Sequence, residues 1–114
     1  MKHINQRNIK IIDELMFFAY KYGGSKIQIN THKDTTAFYI NFKTEIENLP
    51  DDILEITSNL LLAPRCHEME EYYWNLTGDD DTDSELMLVG MMTDEASLDY
   101  KDNKYLEINL KRYI

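Results

Sequence analysis

Apolar residues recur along this chain with two different periods, and the changes from one to the other divide it into helices and strands. From about Asn5 or Gln6 to Tyr22 the period is helical. Ile11, Leu15, Phe18 and Tyr22 share one face with Ile12, Met16 and Ala19 beside them, while Lys10, Asp13, Glu14 and Lys21 fall on the other. Gly23 and Gly24 can take positive φ and end the helix. The period then becomes two. Lys26–Thr31 carries Ile27 and Ile29 on one side, and Thr36–Lys43 alternates Phe38, Ile40 and Phe42 against Ala37, Tyr39 and Asn41. With THKD as a turn between them, these segments predict an antiparallel hairpin.

A second helix is predicted from Pro50, with Asp51 and Asp52 complementing its dipole and Ile53, Leu54, Ile56, Leu60 and Leu61 on its buried side. Ala63-Pro64 ends it. Cys66–Leu76 predicts a third helix with a Met69, Tyr72, Tyr73 and Leu76 stripe, opposite His67, Glu70, Glu71 and Trp74. A fourth begins near Asp83 or Ser84, with Thr82 and Glu85 at capping-box spacing, and runs into the apolar ELMLVGMM. The chain closes on a second hairpin: Ala96, Leu98 and Tyr100, a KDNK turn, then Leu106, Ile108 and Leu110. The order α-β-β-α-α-α-β-β predicts an α+β two-layer sandwich, a mostly antiparallel four-stranded sheet with helices on one face. A length of 114 residues fits a single domain, 1–114.

Composition narrows the function classes. With 43% apolar and 11% aromatic residues the chain can form a core and is not natively disordered. Its net charge of −9 disfavours nucleic acid and anionic membrane surfaces as partners. No apolar run is long enough to span a bilayer, and the first ten residues lack a signal-peptide core, which predicts a cytoplasmic protein. A single cysteine, Cys66, rules out an intrachain disulfide and a CxxC zinc site.

Glu14–Gly23, ELMFFAYKYG, resembles the N-box helix of the histidine-kinase-type (Bergerat-fold) ATPase superfamily. In bacterial sensor kinases and anti-sigma-factor kinases that helix reads roughly E-L-x-x-N-A-x-K-Y-G. Asn48-Leu49-Pro50 stands where the family's G1 box reads G-I-P, and GMMTDEASLDYKDNKYLEINLKR resembles the end of an anti-sigma-factor kinase domain. The resemblance implies an ATP site, and the departures from it imply that the site is lost. Phe18 replaces the Asn that holds magnesium. Thr44 replaces the Asp that recognises adenine. Ile46 and Asn48 replace the G1 glycines, and the acidic loop Asp79–Asp83 leads into the position of the phosphate-binding G2 glycines. Neither a phenyl ring nor an acidic loop holds a triphosphate and its metal. No cofactor is expected.

Other constellations add little. His67 and Glu71 are spaced to share a metal, but no further histidine follows to complete a zinc site. The DDDTDSE run lacks the glycine and final glutamate of a calcium loop. Asn75-Leu76-Thr77 is a glycosylation sequon without a secretion signal. Trp74 falls on a polar helix face, so it is either covered by another segment or available to a partner. Arg65, His67, Glu70, Glu71 and Trp74 are therefore the candidate interaction surface. No serine–histidine–aspartate order, P-loop or dinucleotide fingerprint is present. Three readings follow: a non-catalytic regulatory or protein-interaction module, with a protein partner or self-association; a nucleotide-binding protein or enzyme with a rearranged site using Glu14, His67, Glu70 or Glu71; and a small structural subunit of a complex.

Overall fold

The computed structural model describes residues 4–62, 65–68, 70 and 86–114. Its elements are α1 (Ile4–Lys21), β1 (Ser25–Lys33), β2 (Ala37–Glu45), α2 (Asp51–Leu61), α3 (Leu86–Met91), β3 (Glu95–Lys101) and β4 (Tyr105–Tyr113). His67, Glu68 and Glu70 are also helical and lie between α2 and α3 in the chain. The remainder of the predicted third helix, its aromatic stripe, Glu71, Trp74 and Asp79–Asp83 lie outside the described residues. The four strands form one antiparallel sheet in the order β1-β2-β4-β3, so the two hairpins meet through β2 and β4.

The α+β sandwich expected from the sequence is present. Ile40 and Phe42 of β2 and Leu106, Ile108 and Leu110 of β4 join Ile11, Leu15, Phe18 and Ala19 of α1 in one core. Leu61 of α2 and Leu88 and Val89 of α3 complete it. Burying side chains of this size contributes roughly 1.5–3 kcal/mol each, so this layer supplies most of the drive to fold.

The alternate positions on the strands form the uncovered face, which is polar. Three rungs cross all four strands in register: Gln28-Lys43-Glu107-Asp99, Asn30-Asn41-Asn109-Ser97 and His32-Tyr39-Lys111-Glu95. The middle rung is linked by side-chain amides, with Asn41 Nδ2 donating to Asn109 Oδ1 at 2.7 Å and Asn30 Nδ2 to Asn41 Oδ1 at 3.4 Å.

Turn chemistry fixes both hairpins. In the first, the turn is Asp34-Thr35-Thr36 rather than THKD, and β1 continues through Lys33. Asp34 Oδ1 accepts from the amides of Thr36 (2.9 Å) and Ala37 (2.8 Å) and from the Thr36 hydroxyl (3.0 Å). These bonds stabilise the charged carboxylate and lower its pKa from 3.8 to about 2. The second hairpin turns at Asp102 and Asn103, both at positive φ, with the Lys104 amide donating to the Lys101 carbonyl at 3.0 Å. This is the primed turn that suits the twist of paired strands.

Helix α1 ends in a Schellman arrangement. Gly24 N–H donates to Ala19 O at 2.6 Å and Gly23 N–H to Tyr20 O at 3.3 Å, with Gly23 at φ +78°. Pro50 occupies the cap position one residue before the first turn of α2, not the first helical position.

Among the described residues, three side chains depart from the expected faces. Glu14 and Glu70 were expected on solvent-facing sides of their helices, yet both are fully enclosed. Glu14 sits three residues after Ile11 and four before Phe18, so it shares their stripe, and Lys10 Nζ lies 3.1 Å from its carboxylate. Ile56, expected to be buried on α2, is 54% exposed, and Thr57 takes the buried place beside Leu61.

Candidate functional site

Phe18, Thr44, Ile46 and Asn48, the positions singled out by the sequence resemblance, are engaged in packing or in backbone contacts. Phe18 is 2% exposed in the core, its ring 5.0 Å from that of Tyr22. Thr44 is buried at the end of β2, where its hydroxyl donates to the Ser25 carbonyl at 3.1 Å. Ile46 is also buried. Asn48 takes φ +55° in the loop after β2, and its amide donates to the Asn103 carbonyl at 2.9 Å. Asparagine tolerates this left-handed conformation better than most non-glycine residues.

Of the candidate interaction surface, Arg65 and Glu70 converge on one buried ionic cluster. Arg7 Nη1 lies 2.6 Å from Glu70 Oε2, and Glu70 Oε1 is 3.3 Å from Arg112 Nη1 and 3.4 Å from Arg65 Nε. Arg65 Nη1 extends to Asp94 Oδ2 at 2.7 Å and donates to the Tyr113 carbonyl at 3.0 Å. Asp94 Oδ2 also accepts from the Tyr113 amide at 2.6 Å, and Arg112 Nη1 donates to the Met92 carbonyl at 2.6 Å. The cluster therefore ties α1, Arg65 and Glu70, the segment after α3 and the last strand together. Burial pushes the Arg112 guanidinium below its ordinary pKa, with Arg65 and Arg7 adding to the effect and Glu70 opposing it. An arginine starting so far above neutrality remains a cation.

Beside the cluster lies a cavity of about 320 Å³, lined by Asn8, Phe38, Arg65, His67, Asp94, Arg112 and neighbouring apolar residues. His67 is exposed there, whereas the enclosed Glu70 cannot meet a ligand. Glu71 and Trp74, the other two members of the surface, lie outside the described residues. Cys66 is half-buried, and its amide donates to the Met91 carbonyl at 3.0 Å. Among the described residues, no three His, Cys, Asp or Glu side chains are grouped to hold a metal. No described helix is long and apolar enough to cross a membrane.

Arg7, Asp94 and Arg112 were not singled out in the sequence. Arg7 had a usable signal, since it stands four residues before Ile11 and so on the buried stripe of α1. Arg112 follows the alternation Leu106, Ile108, Leu110 onto the core face of β4. The open sheet face, with a shallow concavity of about 360 Å³ over the His32, Tyr39, Asn41 and Lys111 region, was also missed. Its residues were visible as the polar phase of each strand, but their assembly into rungs depends on a register that no single strand encodes.

Comparison of the chain with protein-family models, with characterised proteins and with solved structures finds no match.

Proposed function

We propose that this chain is a non-catalytic regulatory or protein-interaction module, built on a histidine-kinase-type ATPase arrangement that has lost nucleotide binding. The observation that carries the reading is the buried Phe18. A ring packed into the core at 2% exposure stands where the resembling ATPases need a metal-holding amide. The strand and loop positions fit the same reading, since Thr44 and Ile46 point their side chains into packing rather than toward a ligand.

Two of the four residues for a rearranged catalytic site, Glu14 and Glu70, are enclosed. A general base must come within hydrogen-bond reach of its substrate, which favours the non-catalytic reading. His67, exposed on the lining of the cavity beside the ionic cluster, remains the part of the interaction surface that a partner protein could reach, since the Arg65 side chain is committed to the cluster. We place this module in the cytoplasm on the grounds of its sequence. Isothermal titration with ATP and ADP, with and without magnesium, tests the reading. The expected result is no binding, and a micromolar, magnesium-dependent affinity overturns it.

A further inference from the structure

We infer that the outer edge of β1 is a docking site for an extended, acidic peptide segment of a partner protein, which adds to the sheet as a fifth strand. The inference rests on the interaction-module reading and adds where the partner sits and what chemistry it carries.

Among the described residues, β1 is an edge strand of nine residues, bonded to β2 on one side only. Every second residue of such a strand turns its amide and carbonyl away from the sheet, and these groups pair readily with another extended chain. Natural edges are usually blunted by shortness, proline or charge. β1 contains no proline, and its two lysines, Lys26 and Lys33, stand near its ends and leave Ile27–His32 without a permanent charge. Its irregularity is confined to the start, between Ser25 and Gln28, where Lys26 takes φ +51°. From Gln28 to Lys33 the register is continuous. The opposite edge, β3, is shorter and carries Glu95, Asp99 and Lys101.

The edge also has a groove beside it. Met16 and Tyr20, one turn apart on α1, face Ile27 and Ile29 of β1 across an open trough of about 490 Å³ that includes Gly24. Tyr20 is 61% exposed and the two isoleucines are half-buried. A strand laid antiparallel or parallel on β1 would drop alternate side chains into this trough, which suits valine or isoleucine at every second position.

Charge selects the occupant. The protein carries a net charge of −9, yet SKIQINTHK contains Lys26, His32 and Lys33 and no acidic residue. Lys26 is 78% exposed, with Glu45 at 3.7 Å as its partner on the neighbouring strand. The same lysines disfavour a second copy. In a two-fold pairing centred on Ile29, Lys26 falls opposite His32, and in the adjacent register it falls opposite Lys33. An acidic strand from another protein meets complementary charge in either direction.

The test uses the full chain and a fluorescently labelled, capped peptide of about ten residues that alternates valine with glutamate, alongside a scrambled version and a lysine counterpart. The acidic alternating peptide is expected to bind about tenfold or more tightly than the basic one, with slowed amide hydrogen exchange in β1. K26E/H32E should reverse the preference, because His32 lies on the face opposite the trough, where the glutamates fall. Tyr20→Glu, which changes the helix and leaves the sheet untouched, should weaken acidic binding in the same direction. Absence of binding up to about 1 mM overturns the inference, as does protection at residues 65–70 or on the open sheet face instead of β1. A dimer in sedimentation whose β1 amides are already protected assigns the edge to a second copy and overturns it too. Nucleotide binding measured by titration would remove the interaction-module reading while leaving the β1 protection result standing, so the two failures are distinguishable.

Discussion

Arg7 Nη1 and Glu70 Oε2 meet at 2.6 Å across 63 residues of chain, with side-chain exposures of 1% and 0%. Two charges withdrawn from water this completely hold together because the geometry is short and because Glu70 is shared with Arg65 and Arg112. Desolvation offsets most of the Coulombic gain in such a pair, so its role is to fix arrangement rather than to add net stability. It fixes Arg65 and Glu70 against α1 and β4, beside the cavity. Removing one partner leaves buried charge behind. Glu70→Leu takes the shared carboxylate from three guanidiniums and should cost about 3–5 kcal/mol in urea unfolding. Arg7→Leu leaves Glu70 with two arginines and should cost less. Equal costs for the two variants would contradict the shared-carboxylate account.

Tyr100 performs a similar function with a neutral group. Its hydroxyl donates to the Ile46 carbonyl at 2.6 Å and accepts from the Leu49 amide at 3.0 Å, closing the loop that carries Asn48 onto β3. Tyr100→Phe keeps the ring and removes both bonds. The expected loss is about 1–3 kcal/mol, since both backbone groups sit in a partly buried place. Exchange of the Leu49 amide should speed up beyond what the global change in stability explains, and unchanged Leu49 protection would show that the loop closes without the hydroxyl.

The elements legible in the sequence were those written in local periodicity. Ile11, Leu15 and Phe18 announced α1, and the alternations around Ile40 and Ile108 announced the strands that meet at the centre of the sheet. Gly23-Gly24 announced the helix end because only a left-handed residue closes it in this way. Periodicity places Arg7, Glu14 and Arg112 on buried faces but does not say which groups would neutralise them. Glu70 looks like a solvated carboxylate because Arg7, which neutralises it, lies 63 residues away in the chain, whereas Glu14 has Lys10 one turn away on the same helix. The exposure of Ile56 and the polar rungs failed for the same reason: a neighbour on another element decides which face is covered. Phe18 shows the converse. Its burial was readable from the helical stripe that it shares with Ile11 and Leu15.

Asp34 gives the first hairpin a dependence on pH. Its carboxylate accepts the Thr36 and Ala37 amides, and its pKa is lowered from 3.8 to about 2 in the folded chain. A folded-state pKa below the unfolded value means that the unfolded chain binds the proton first. The contribution is therefore present above pH 3.8 and is lost as pH falls from there through about 2. Asp34→Ala should be less stable than the native chain at neutral pH, and the difference should shrink over that window. Carbon-detected titration of the Asp34 side chain provides the direct check, and an ordinary carboxylate midpoint would refute the turn geometry.

Gly23 and Gly24 stand side by side and are constrained for different reasons, which allows them to be separated by substitution. Gly23 has φ +78° and open space around the position of a Cβ. Its constraint is conformational, so Gly23→Ala should cost about 1–2 kcal/mol. Gly23→Asn should cost less, because asparagine tolerates the left-handed region. Gly24 has no such φ, but a Cβ there would lie 2.8 Å from the Ala19 carbonyl oxygen, 2.9 Å from Ala19 Cβ and 2.9 Å from Thr44 Oγ1. The first of these is backbone of the last helical turn and cannot swing aside. Gly24→Ala must therefore push β1 away from α1 or break the 2.6 Å bond from Gly24 N–H to Ala19 O, at a cost of about 1–3 kcal/mol. Pairing Gly24→Ala with Thr44→Ala relieves the hydroxyl contact alone. It should recover only part of the loss, since the carbonyl and Ala19 Cβ remain. Full recovery in the double variant would mean that Thr44, and not the helix end, sets the spacing between α1 and the sheet.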